Sequence, residues 1–237
     1  MGQIMSSEIV RELVMAAHGD LGKVKELTAV HPELLDSAHE WRPGMTESPL
    51  EAAAHTGRRE IAEFLLEKGA KPIIVAAAML ADEKAFEELL AENPERIREK
   101  GAHNFSLMFH AALGGNLAIA GRIYDGVAKE GIDSALLASV MAGQHAMAKW
   151  LITKGVSLDN TDFRGRTALE YAVEIADAQM MSILRDAIGE ENLAACENCG
   201  EKGYKYLAEI DGNAMGAHTK IFKCKKCQHE IETVQIG

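Results

Sequence analysis

Apolar residues recur along this chain at helical rather than strand spacing. Residues 48–70 read S-P-L-E-A-A-A-H-T-G-R-R-E-I-A-E-F-L-L-E-K-G-A. Pro49 stands near a helix start, Leu50, Ala52 and Ala53 form a buried stripe, and Gly57 is a stop. A second pattern carries Ile61, Phe64, Leu65 and Leu66 and ends at Gly69. Two short helices joined by a glycine predict a hairpin. The arrangement returns at 106–124, 134–155 and 162–184, with weaker copies from Leu13 to Leu27 and from Pro72 to Leu90. About six hairpins are predicted, enough for a stable stack.

Aligning the copies places their turns at Gly19, Gly57, Leu80, Gly115, Gly143 and Ala176, which are 38, 23, 35, 28 and 33 residues apart. Residues 48–70 and D-F-R-G-R-T-A-L at 162–169 resemble the ankyrin repeat, whose pattern is a D-x-x-G turn, T-P-L-H-x-A-A, a glycine and a second helix ending L-L-x-x-G-A. The resemblance covers most of 9–188. Where the family has a period of about 33, this chain is irregular. The interval around Gly69 to Pro72 leaves no room for a projecting finger, whereas Asp36 to Glu47 and Asn93 to Phe105 leave ample room. The family's fourth-position histidine is replaced by Glu51, Phe109, Leu137 and Glu170. The expected fold is mostly α: an ankyrin-type helix-hairpin solenoid over 1–189, followed by a small antiparallel β module over 190–237.

That second module is marked by cysteine. All four cysteines, Cys196, Cys199, Cys224 and Cys227, fall in the spacing C-x2-C-x24-C-x2-C. Each C-x2-C turn presents two sulfurs, and the two turns together supply four thiolates at tetrahedral geometry. Between the pairs, Tyr204 to Ile210 and His218 to Lys223 alternate like strands around the turn-rich 211–216, and Glu230 to Val234 suggests a third strand. The segment resembles a zinc ribbon. The expected cofactor is one structural Zn²⁺, ahead of a rubredoxin-like iron, with no open coordination position for catalysis. The lack of a secretion signal disfavours disulfides. With four cysteines present, His218 and His229 read as ordinary side chains.

Composition narrows the function. The chain has 237 residues, is 47% hydrophobic and only 5% aromatic, so its core is aliphatic and alanine-rich. Its net charge is −11, of which −10 lies in 1–190 and −1 in 191–237. Such acidity argues against a protein whose main work is neutralising phosphates. No run approaches the roughly 20 apolar residues of a membrane span, and no signal-like start is present, which predicts a cytoplasmic protein without membrane contact. The opening M-G-Q-I-M-S matches a myristoylation pattern on Gly2, but its shortness favours a plain N-terminal extension.

No phosphate loop, G-x-S-x-G or H-E-x-x-H is present, so no enzyme is expected. The ankyrin resemblance implies a protein partner, bound by finger tips and by the concave face of the inner helices. On the fingers this points to Trp41, Arg42 and Met45, to His103 and Phe105, and to Phe163 and Arg164; on the inner helices it points to His55, Phe109 and Met141. Aromatic and Arg side chains are the types that dominate binding energy. In the competing view Trp41, Phe105 and Phe163 fold back over the core. A different alternative is nucleic-acid binding by Lys220, Lys223, Lys225 and Lys226 in the ribbon. The ribbon could equally cap the apolar end of the solenoid beyond Leu184.

Overall fold

The computed structural model describes residues 2–127, 131–188, 198–200, 204–211, 217–224 and 230–236, with side chains over 7–127, 131–188 and 198–200. The chain divides into two compact units, Met1–Val156 and Ser157–Gly237. The sixth hairpin therefore groups with the β module, although sequence spacing suggests a boundary at 189/190.

The first unit is five helix pairs: α1 (Gly2–Ala17) with α2 (Leu21–Val30), α3 (Pro49–His55) with α4 (Arg59–Glu67), α5 (Ile74–Leu80) with α6 (Glu83–Glu92), α7 (Leu107–Gly114) with α8 (Leu117–Val127), and α9 (Asp133–Met141) with α10 (His145–Thr153). The first helices stack in the order α1, α3, α5, α7, α9, and the second helices form a further layer behind them. Ala52, Ala53, Ala54, Ala76, Ala78, Ala111, Ala112, Ala135 and Ala138 are all buried in the first layer. Side chains this small let successive helices approach closely. Gly114 shows the limit: a Cβ there would lie 2.5 Å from the Ala78 carbonyl oxygen. The larger core residues Leu13, Leu65, Ile74, Phe86, Met108, Ile123, Leu136, Met147 and Leu151 fill the space between layers, each contributing about 1.5–3 kcal/mol by burial.

Local signals in the sequence account for the helix starts. Ser48 accepts from the Glu51 amide while the Glu51 side chain accepts from the Ser48 amide, and Thr167 and Glu170 form the same reciprocal box. Glu at the family's histidine position thus closes a helix N-terminus. Asp20, Asp82 and Ser106 cap α2, α6 and α7. Between hairpins, Arg58 donates to the His18 carbonyl at 2.8 Å, Arg59 to the Leu80 carbonyl at 2.9 Å and Gln144 to the Leu113 carbonyl at 3.2 Å. These satisfy carbonyls that helix ends leave open. The turns take left-handed backbone at Gly57, Ala81, Gly115, Gly143 and Ala176. Spacing alone puts the third at Leu80, one residue short of Ala81.

Only one of the two expected fingers is a β-hairpin. β1 (His39–Arg42) and β2 (Met45–Glu47) pair antiparallel, with His39 opposite Glu47. The segment 93–105 instead makes two 3-10 turns, Pro94–Arg98 and Ala102–Asn104, closed by a bridge between Lys100 and Ser106. From Lys68 to Ile73 the chain passes directly from α4 to α5, as its length requires.

The second unit holds α11 (Ala168–Glu174), α12 (Ala178–Ile188) and an antiparallel sheet, β3 (Tyr204–Asp211), β4 (Ala217–Cys224) and β5 (Glu230–Ile236), in that order. Register sets Tyr204 opposite Cys224, so the start of β3 and the end of β4 share one end of the sheet. Cys199 lies in an exposed turn before β3. Cys196, Cys227, Lys225 and Lys226 lie outside the described residues. No described helix is long and apolar enough to cross a membrane.

Candidate functional site: a carboxylate among three imidazoles

Four side chains, from the first hairpin, from the second with the finger that precedes it, and from the connection between the third and fourth, meet beside the first-layer helices. Glu47 ends β2, His18 follows the last residue of α1, His55 ends α3, and His103 sits in the 3-10 turn before α7. One ligand-capable atom from each lies within 4.8 Å of the others. Glu47 is the centre, only 1% exposed, while the side chains of His55, His18 and His103 are 9%, 31% and 41% exposed. The three imidazoles rim a buried carboxylate, and His103 is the most exposed of them.

Each member is held by its own partners. Trp41 Nε1 donates to Glu47 Oε2 at 2.7 Å. The other carboxylate oxygen, Oε1, faces His55 Nδ1 at 3.1 Å, His18 Nε2 at 3.6 Å and His103 Nε2 at 3.8 Å. It is buried yet accepts no hydrogen bond. The His18 Nδ1–H donates to the Val14 carbonyl at 2.9 Å, which turns Nε2 toward the carboxylate. His55 Nδ1 donates to the Glu51 carbonyl at 3.1 Å rather than to Oε1. His103 and Asn104 take φ of 56° and 67°, a left-handed conformation uncommon for residues other than glycine.

Aromatic rings complete the surround. His55 meets His18 and His103 edge to face, with centroids 5.0 Å apart in both pairs. Phe105 stacks on His55 at 5.9 Å and on Phe109 at 4.1 Å. Behind Phe109, His110 is wholly buried; its Nδ1 donates to the Ser106 carbonyl at 2.9 Å and its Nε2 meets no partner. Burial, with a smaller contribution from the charge of His55, pushes the His110 pKa down to about 4 against the opposing pull of the Ser106 bond. For Glu47, burial is the largest influence and by itself would raise the pKa. The nearby His55, the Trp41 bond and the charge of His18 together outweigh it, so the carboxyl titrates below its ordinary range.

Four residues expected on the binding surface, Trp41, His55, His103 and Phe105, are thus gathered around one carboxylate. Trp41 and Phe105 are half-buried, Met45 is half-buried and Arg42 is exposed. Phe109, expected on an open face, is a correction: only 5% of it is exposed, because Phe105 covers its ring. Met141 is 48% exposed and Phe163 92% exposed, with Arg164 packed on the Phe163 ring at 5.5 Å. Phe163 does not fold back onto the core.

Two members of the cluster, His18 and Glu47, are not legible from motif spacing. A-A-H occurs at both 16–18 and 53–55, each at the end of a hairpin's first helix, and this repetition is the signal that could have linked the two histidines. Glu47 precedes the Ser48 cap and reads as an ordinary acidic residue at a helix start.

Residues 47–77, which contain Glu47, His55, helices α3 and α4 and the start of α5, match the ankyrin repeat family. No curated protein matches the chain. Among solved structures it is similar to a chain in that of a predatory endopeptidase from Bdellovibrio bacteriovorus in complex with an immunity protein. Identity there is 27%, the alignment covers 73% of this chain and 96% of that one, and the TM-score is 0.42.

Proposed function

We propose that this chain, with an ankyrin repeat at 47–77 inside a stack of helix hairpins, is a non-enzymatic adaptor that binds a protein partner. The ankyrin match is the observation that carries the reading. Stacked hairpins bury one face of each copy and leave fingers and helix ends free for recognition. The side chains open for contact are Arg42, His103 and Met141 in the first unit and Phe163 with Arg164 in the second. Large apolar and Arg side chains presented this way supply most of the energy of a typical interface, and the −11 net charge favours encounter with a basic target.

The turn bearing Phe163 is firmly built. Asp162 Oδ1 accepts from the amides of Arg164 and Arg166, both at 2.9 Å, and Arg166 bonds Asp162 and Glu174. An exposed aromatic on a fixed turn loses little freedom on binding.

The four cysteines are assigned one structural Zn²⁺. The register supports this, since Tyr204, five residues after Cys199, stands opposite Cys224, and thiolate binding would supply folding energy to a segment with little core. A nucleic-acid role is less well supported. Lys220 and Lys223 stand three apart in β4 and hold register positions opposite Glu209 and Glu230.

The test is capture of the native protein with its binder, with and without nuclease, followed by Phe163→Ser and Met141→Ser. A protein retained in near-equal amount after nuclease, and weakened at least tenfold by either substitution without loss of folding, supports the reading. Complete loss on nuclease treatment removes it.

A further inference from the structure

We infer that His18, Glu47, His55 and His103 form a binding site for a divalent transition-metal ion of the zinc class, separate from the cysteines and independent of which partner the solenoid recognises. Bonds of about 2.0–2.2 Å to imidazole nitrogen and carboxylate oxygen set tetrahedral ligand–ligand separations of about 3.4 Å. His55 Nδ1, His18 Nε2 and His103 Nε2 stand 3.1, 3.6 and 3.8 Å from Glu47 Oε1, which brackets that value; to ligate through Nδ1, His55 gives up its bond to the Glu51 carbonyl and carries its proton on Nε2 instead. Imidazole with one carboxylate is a donor set suited to zinc and its neighbours rather than to calcium or magnesium, which take all-oxygen shells.

The buried oxygen is the independent pointer to a ligand. Glu47 is 1% exposed and its Oε1 accepts no hydrogen bond, whereas buried carboxylate oxygens are ordinarily satisfied. The His18 ring sharpens the case. Its Nδ1 proton is committed to the Val14 carbonyl, so a neutral His18 directs the Nε2 lone pair at a carboxylate oxygen 3.6 Å away. Lone pair against lone pair is repulsive, and a cation placed between them removes the repulsion. A ring fixed by one nitrogen and offering the other is also how metal-binding histidines are oriented. Trp41 does the same for the carboxylate by holding Oε2.

The chain positions make the ion a staple. His18 belongs to the first hairpin, Glu47 with His55 to the second, and His103 to the connection between the third and fourth, so metal would lock the β-hairpin finger and the 3-10 turn against α1 and α3. It would also fix His103 in its left-handed conformation. His103, the most exposed of the four side chains, is the ligand that solvent reaches.

The test uses the full-length chain, freed of metal by a chelator and titrated with Co²⁺. Thiolate ligation produces sulfur-to-cobalt charge-transfer absorption, while a His₃Glu site produces visible d–d bands alone. The wild type is expected to take up one equivalent without charge-transfer absorption, and to lose at least tenfold in affinity for it in His103→Ala and in Glu47→Gln. His103 is 41% exposed in its side chain, so that substitution leaves the core intact. Uptake confined to the charge-transfer component, or equal uptake and affinity in wild type and both variants, overturns the assignment and leaves the cluster as imidazoles packed around a carboxylate.

Discussion

The indole N–H of Trp41 and the imidazole of His55 divide the carboxylate of Glu47 between them, Trp41 donating to Oε2 at 2.7 Å and His55 standing 3.1 Å from Oε1. A finger of the first connection is thereby tied to the end of α3. Trp41→Phe keeps the ring and removes only the donor, leaving a second buried oxygen unsatisfied. Stability should fall by about 1–3 kcal/mol, read from the urea midpoint at unchanged slope.

Acid should weaken the fold through His110. Its folded-state pKa is depressed from 6.5 to about 4, so between those values the unfolded chain binds a proton that the folded chain does not. The stabilisation from neutral His110 is complete above pH 6.5 and is lost as pH falls toward 4, at about 1.4 kcal/mol per pH unit. In His110→Asn the slope of stability against pH over that window should shrink by this amount, as measured by denaturant melts across the range.

The turn ahead of α11 depends on Arg166, which is 5% exposed, is bonded to Asp162 and Glu174 and lies under the Tyr171 ring at 4.7 Å. Removing it leaves Asp162 Oδ2, on a largely buried side chain, and Glu174 without their cation, while the backbone amides still hold Oδ1. Arg166→Leu should cost on the order of 3 kcal/mol and should weaken partner binding through Phe163 even where the chain remains folded. Calorimetry and binding measured side by side check both.

Ala81 and Ala176 end their first helices with φ of 58°, where the other hairpin turns of this kind use glycine. Left-handed alanine is strained by about 1–2 kcal/mol, partly offset by the greater unfolded-state freedom that glycine would bring. Ala81→Gly should therefore stabilise the fold by about 0.5–1 kcal/mol, and Ala81→Val should destabilise it; thermal melts distinguish the two.

The hairpins, their turns and the three strands were legible because each depends on local features: apolar spacing, a cap such as Ser48 or Thr167, and a stop such as Gly57 or Gly143. Ala81 was missed by one residue because alanine carries no turn signal of its own and alignment to the neighbouring copies, which reached Ala176, settled on Leu80. Helix α1 begins at Gly2 rather than near Leu13, since no proline or glycine interrupts residues 3–18 and the intervening side chains tolerate helix. The cluster at Glu47 was only half legible. Trp41, His55, His103 and Phe105 stood out as polar or aromatic residues on fingers and helix ends, but their convergence on one carboxylate depends on how hairpins of unequal length stack. Residues 18, 47, 55 and 103 share no motif that would announce it.

The central claim is recognition of a protein partner by exposed side chains of a helix-hairpin stack. It is tested most directly by the affinity of the captured partner for wild type and for Phe163→Ser, measured by titration calorimetry beside a thermal melt of each. The account predicts at least a tenfold loss of affinity with an unchanged melting temperature, because Phe163 is 92% exposed and supports no core. Equal affinity in Phe163→Ser, or binding that vanishes once nucleic acid is digested away, would contradict it.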